Sequence, residues 1–152
     1  MKTIMTSNGY GVIVDDNLYD FLNRWRWKYG RNRVYRNTWE SGKRKTISMH
    51  RLIMDTPLGL ECDHKNLNKL DNRRENLRNC TSTQNSWNKG ISSRNRLGYK
   101  GVRKNGKRWA AKIITNGKAI HIGQFDSIEE AALAYDEFAR ELCGEYAHLN
   151  FP

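Results

Sequence analysis

Residues 61–88 read ECDHKNLNKLDNRRENLRNCTSTQNSWN, and the order of local signals in this stretch decides how the first half of the chain folds. Leu60 to His64 reads as a short strand that ends on an Asp-His pair, Asp63 and His64. Lys65 to Asn72, with three Asn and one Asp, is a polar loop. Asn76 to Cys80 returns as a second strand. Thr81-Ser82-Thr83-Gln84 fits a capping box with Thr81 as N-cap and Gln84 at N3, so Asn85 falls in the first turn of a helix. Asn76 stands twelve residues after His64, and Asn85 nine residues after Asn76.

Upstream, residues 1–49 read as short strands with one helix among them. Tyr10 to Val14 is strand-like, and Asp15 or Asp16 can cap a short helix through Leu22. Trp25-Arg26-Trp27-Lys28-Tyr29 and Val34 to Trp39 alternate, which predicts a small antiparallel sheet. Its turns are Gly30–Arg33 and Glu40–Lys43. Two readings of this sheet are compatible. A basic face touches phosphates, and Trp25, Trp27 and Trp39 form a core with Arg24, Arg26, Lys28 and Arg36 outside. His50 opens a short helix stopped before Pro57; it either helps build a site or is a structural His bonded to backbone.

Downstream, Lys89 to Arg96 (KGISSRNR) has no periodicity and reads as a basic linker. From Gly98 the pattern is three strands and a helix. Tyr99–Arg103, Lys107–Ile114 and Lys118–Ile122 are the strands, with turns at Asn105-Gly106 and Asn116-Gly117. Ser127-Ile128-Glu129-Glu130 is a capping box that opens a helix to Leu142, stopped by Gly144. Ile128, Ala131, Ala132, Tyr135, Phe138, Ala139 and Leu142 follow helical spacing and should pack on one sheet face. Glu129, Glu130, Asp136, Glu137 and Glu141 lie away from the strands. The expected organisation is 1–88 as a first domain, 89–97 as linker and 98–152 as a second domain, in an α+β protein.

The net charge of +11 is concentrated. Between Asn76 and Phe125 there are eleven Lys or Arg and no Asp or Glu, while the other 16 basic residues are matched by 16 acids. Such a block calls for a polyanion, nucleic acid first. The three cysteines, Cys62, Cys80 and Cys143, are odd in number and far apart, with no CxxC pair. That disfavours a disulfide framework or a zinc knuckle and predicts buried free thiols. No apolar run reaches membrane-spanning length, and MKTIMTSNGYG has no signal region. The expectation is a cytoplasmic protein of a bacterial or phage-infected cell, with no membrane partner.

Asp-His, then DNRRENLR, then TSTQN, from Met49 to Asn88, resembles the motif of phage and intron-encoded HNH homing endonucleases. The resemblance implies the ββα-metal fold and a role for each matching residue. His64 would be the general base, Asp63 a ligand to the divalent metal, Asn76 the side chain that pins the loop, and Asn85 the second ligand. A single Mg²⁺ or Mn²⁺ per site suits such oxygen donors, and no small-molecule cofactor is implied. Arg73, Arg74 or Arg78 would contact flanking phosphates.

YKGVRKNGKRWAAKI and HIGQFDSIEEAALAYDEFARELCGEYAHLNFP, from Gly98 to Pro152, are similar to the plant ethylene-response-factor (Apetala-two) type DNA-binding domain. That domain lays its three-stranded sheet in the major groove. Arg103 and Trp109 match family residues that contact DNA, and Lys100, Arg108 and Lys112 lie at DNA-facing positions. Lys89, Arg94 and Arg96 would follow the backbone. Ile114 stands where the plant domains commonly have Arg and His121 where they have Trp, so plant target sequences do not transfer.

A lone Asp-His is commonly a satisfied surface or core pair. The register of Asp63, His64, Asn76 and Asn85 around two strands and a helix sets this one apart. The expected function is metal-dependent cleavage of double-stranded DNA by a monomer or weak dimer. The alternative is a non-catalytic DNA-binding regulator derived from such a nuclease. Target sequence and strand count of the cut are not encoded legibly.

Overall fold

The computed structural model describes residues 1–152 and divides them into two compact units, Met1–Ser82 and Thr83–Pro152. The division falls ahead of the 89–97 stretch in which the sequence places a linker. Both units mix small antiparallel sheets with helices, so the fold class is α+β as expected.

In the first unit a hairpin of β1 (Lys2–Met5) and β2 (Gly11–Val14) leads into α1 (Asp16–Leu22). A meander of β3 (Lys28–Gly30), β4 (Arg33–Glu40) and β5 (Lys43–Ser48) follows, then α2 (Met49–Ile53). The hairpin of β6 (Glu61–His64) and β7 (Leu77–Cys80) closes the unit, with a 3-10 turn Arg74–Asn76 ahead of β7. Period-two alternation sends Val12 and Val14 inward from β2 and Val34 from β4, to meet Leu22, Trp27, Met49 and Leu77 in one core. Each fully buried aliphatic of this kind contributes about 1.5–3 kcal/mol. Trp27 is fully buried, and its indole N–H donates to the Leu22 carbonyl at 2.8 Å.

Two expectations for this sheet are corrected. Trp39 is not core: it is 73% exposed, because the alternation that buries Val34 turns Trp39 to the opposite face. Arg36 does not project freely; its guanidinium lies 4.4 Å from the Trp25 ring centroid and 5.9 Å from that of Trp27, covering the aromatic core. Asp15 does stand at the N-cap of α1, but its carboxylate makes no cap bond. It accepts the Arg74 backbone N–H at 2.8 Å instead.

The second unit holds α3 (Ser82–Asn88, of which Thr83 onward belongs here), an irregular segment, β8 (Val102–Asn105), β9 (Arg108–Thr115), β10 (Lys118–Phe125) and α4 (Ile128–Cys143). The strands lie in the order β10-β9-β8. Asn116 and Gly117 both have positive φ, 49° and 74°, which matches the right-handed twist of the hairpin they join. β8 starts at Val102 rather than Tyr99, because Gly101 sits at φ +75° and breaks the extended path. β10 continues past Ile122 to Phe125 through an irregularity between His121 and Gly123.

The capping box of α4 forms as expected: Glu130 N–H donates to Ser127 Oγ at 3.1 Å, and the Glu130 carboxylate takes the Ser127 N–H. Ala131, Ala132, Tyr135, Ala139 and Cys143 pack on Val102, Ala111 and Ile113. Cys143, not Leu142, supplies the last core position; Leu142 is 38% exposed. Asp136 is not one of the solvent-facing acids either. It is 1% exposed, and its carboxylate accepts the Asn150 and Phe151 backbone N–H groups, each at 2.8 Å, tying the C-terminal segment to α4. All three cysteines are free and buried. No helix is long and apolar enough to cross a membrane.

Candidate active site

The β6–β7 hairpin sets Asp63 opposite Arg78 and His64 opposite Leu77. Asp63 is 1% and His64 2% exposed. Arg78, 8% exposed, holds Oδ2 of Asp63 through Nε at 3.3 Å and Nη2 at 3.2 Å. Lys69 Nζ stands 4.0 Å from Oδ1. The buried Arg78 and the partly exposed Lys69 thus fix the carboxylate, and the inward direction of Arg78 follows from the strand pairing that puts it across from Asp63.

The loop between the strands is tied at several points. Asn76 accepts the Asn66 backbone N–H on Oδ1 at 3.0 Å, and its Nδ2 donates to the Asp71 carbonyl at 2.8 Å. The first hairpin holds the loop from outside: Ile13 N–H donates to the Leu70 carbonyl, and the Asn72 N–H donates to the Ile13 carbonyl, both at 2.8 Å. The His64 carbonyl accepts the Leu67 N–H.

Burial pushes the His64 imidazole down to about 4, and the charge of Lys69 adds to the effect. The nearby Asn72 amide and the charges of Asp63 and Asp71 pull partly the other way. His64 is therefore neutral at pH 7 and able to accept a proton. His50, on α2, packs its ring against that of His64 with centroids 5.1 Å apart. Burial, then the nearness of His64, pushes His50 down to about 3. Its backbone carbonyl accepts from Cys62 Sγ at 3.5 Å, and its buried Nδ1 has no hydrogen-bond partner.

The donor chemistry around this pair fits a hard cation. The thiols of Cys62 and Cys80 are pushed up to about 11 by burial and stay protonated. No three His, Cys, Asp or Glu side chains gather as a metal cage. A cation here would rest on carboxylate and amide oxygens and on water, the set that suits Mg²⁺ or Mn²⁺.

The sequence-assigned DNA contacts separate into two groups. Arg73 is engaged by neighbouring acids: Nε and Nη2 each reach the Asp71 carboxylate at 2.8 Å, and Nη1 pairs with Glu75. Arg78 is buried on Asp63. Lys100 donates from Nζ to the Trp87 carbonyl and, at 2.8 Å, to the Lys89 carbonyl, and burial lowers its pKa to about 8. It fastens the irregular segment to α3. Trp109 lies on the helix side of its sheet, partly buried against the core, with Lys104 Nζ 5.7 Å above its ring. All four are thus engaged by partners within the chain.

The others stand outside. Strand parity puts Arg103, Arg108 and Lys112 on the sheet face away from α4, with the small, buried Ala110 between the last two. Arg108 bonds Asp126 at 2.8 Å, an exposed pair worth about 0–1 kcal/mol and easily exchanged for phosphate. Lys89, Arg94 and Arg96 are exposed on the irregular segment, and Asn85 lies on α3. Lys69 and Asn72 were missed at the sequence level, since nothing in the spacing separates Asn72 from Asn66 or Asn68.

A family model described as HNH endonuclease matches residues 55–87, and one described as AP2 domain matches residues 97–145. The chain is 33% identical over 148 residues to an uncharacterised HNH endonuclease of Acanthamoeba polyphaga mimivirus, covering 93% of this chain and 75% of the relative. It is 32% identical over 96 residues to Protein 3.8 of Escherichia phage T7, covering 62% of this chain and 78% of that one. It is also 49% identical over 57 residues to Dehydration-responsive element-binding protein 2D of Arabidopsis thaliana, there only 36% of this chain and 28% of the plant protein. With the Asp63-His64 hairpin inside the first matched segment and the sheet backed by α4 inside the second, the chain belongs to the HNH endonuclease family and carries an AP2 domain.

Proposed function

We propose that the protein hydrolyses phosphodiester bonds of double-stranded DNA in a divalent-metal-dependent reaction centred on His64. The observation that carries this is the buried His64, neutral at pH 7 and adjacent to a buried carboxylate at a strand end. Neutral His64 takes the proton of the attacking water, and the loop pinned by Asn76 supports its position. Asp63 and, from the motif alone, Asn85 would hold one Mg²⁺ or Mn²⁺, which supplies Lewis-acid stabilisation of the scissile phosphate and leaving oxygen. Phosphate contacts give most of the affinity, and side chains such as Arg103 the sequence readout. One site per chain makes nicking by a monomer the default, in the cytoplasm of the host cell.

The second reading, a non-catalytic regulator, draws on the Arg78 guanidinium that already neutralises Asp63. A labelled duplex incubated with Mg²⁺, with EDTA, and with Asp63→Ala in Mg²⁺ separates the two. Cutting in the first case alone supports the nuclease; tight binding with no cutting in any supports the regulator.

A further inference from the structure

The three-stranded sheet β3–β4–β5 has two unlike faces. Val34 and Arg36 turn inward on core and tryptophans. Register and parity put Lys28, Arg33, Tyr35 and Asn37 on the outer face, with Thr46 and Arg44 beside them on β5. With Arg31 in the β3–β4 turn, five of these residues line a shallow pocket of about 220 Å³; Lys28 does not. From Lys28 to Ser48 there are seven Lys or Arg and one acid, Glu40. Glu40 is on the opposite face, paired with Lys45 at 2.6 Å.

The outer face therefore carries cations without a carboxylate. Arg31, Arg33 and Arg44 have no ion-pair partner, and the buried Nε of Arg33 has no hydrogen bond. Arg33 lies over the Tyr35 ring, 5.9 Å from its centroid, and Trp39 stands exposed opposite Arg44. Guanidinium groups gathered this way repel one another until an anion sits between them, and their fork matches two phosphate oxygens. A single exposed aromatic is no stacking platform for unpaired bases, so the face suits a duplex backbone. The sheet belongs to the same unit as the Asp63-His64 pair: α2 follows β5 directly and carries His50, which touches His64.

We infer that this outer face binds the phosphodiester backbone of duplex DNA, through Arg31, Arg33 and Arg44. The cleaving unit then has its own grip on DNA, separate from the sheet of the second unit. The inference rests on DNA as the substrate but not on cleavage.

The test uses the full chain in EDTA, a labelled DNA duplex, and binding measured from low to moderate salt. Arg31→Ala combined with Arg44→Ala changes two exposed side chains outside the core. The account expects the log affinity against log salt slope to become shallower by about two, near 0.9 per lost phosphate contact. It expects the hydroxyl-radical footprint to shorten at one end only. Arg31→Lys with Arg44→Lys should keep the slope. An unchanged slope and footprint in the alanine variant overturns the inference. Loss of binding to a competitor RNA duplex with DNA binding unchanged also overturns it, and makes the face an RNA site. Wild type that binds in this way yet never cuts in Mg²⁺ would sink the nuclease reading and leave this one standing.

Discussion

His50 and His64 pack ring against ring in the first unit, centroids 5.1 Å apart and planes at 60°. Two imidazoles so placed, and so buried, cannot both carry a proton at modest cost. In the folded chain His50 is held near 3 and His64 near 4, against about 6.5 for an unfolded His. The unfolded chain binds protons first, so the stability from neutral burial is fully present above pH 6.5 and drains as pH falls toward 4. Urea midpoints of unfolding should drop steadily from pH 7 to pH 4.5, and His50→Phe should flatten that slope. A pH-independent midpoint in wild type would contradict this. His64 meanwhile remains a neutral base well below pH 6.5.

Arg78 and Asp63 form a buried pair, and removing one partner strands a charge. Arg78→Leu should destabilise the first unit by about 3–5 kcal/mol. Arg78→Leu with Asp63→Leu should recover much of the loss, because both charges go together. Chemical unfolding followed by tryptophan fluorescence measures this. Equal losses in the single and double variants would mean that the pair is not coupled as its geometry indicates.

Much of this was legible beforehand because it rests on local chemistry. The Ser127 and Glu130 capping box, the Asn116-Gly117 turn and the strand ending at Asp63-His64 each need only neighbours in sequence. What was not legible depended on which partner a side chain meets. Arg78 and Lys100 read as surface cations, yet each is committed to a carboxylate or carbonyl that only folding brings near. Trp39 was misplaced by one strand face, since a single-residue shift in parity inverts inside and outside. The sequence also predicted a basic face on β3–β5 but counted Arg36 in it, whereas parity turns Arg36 onto the tryptophans and puts Arg33 and Arg44 outside.

Gly101 is the tightest joint of the second unit. A Cβ there would lie 2.1 Å from Tyr135 Cδ2 and 2.7 Å from the Lys112 carbonyl oxygen, at a backbone φ of +75°. Gly101→Ala should cost at least about 1–3 kcal/mol from overpacking, plus the left-handed backbone penalty. Thermal unfolding reads it; a melting temperature within error of wild type would contradict the packing described.

Arg103 is exposed on the open face of β8, opposite Ala110. Arg103→Ala should weaken specific DNA binding by about 1–3 kcal/mol while changing nonspecific binding much less. Competition binding against unrelated duplex gives the ratio. Equal weakening on both duplexes would make Arg103 a backbone contact rather than a reader of bases.

The most direct measurement is cleavage of supercoiled DNA by wild type and His64→Ala in Mg²⁺, with DNA affinity measured for both. The expected result is nicked product from wild type and a rate lower by about 10²–10⁴ in His64→Ala, with affinity unchanged. Equal cleavage by the two proteins would contradict His64 as the base.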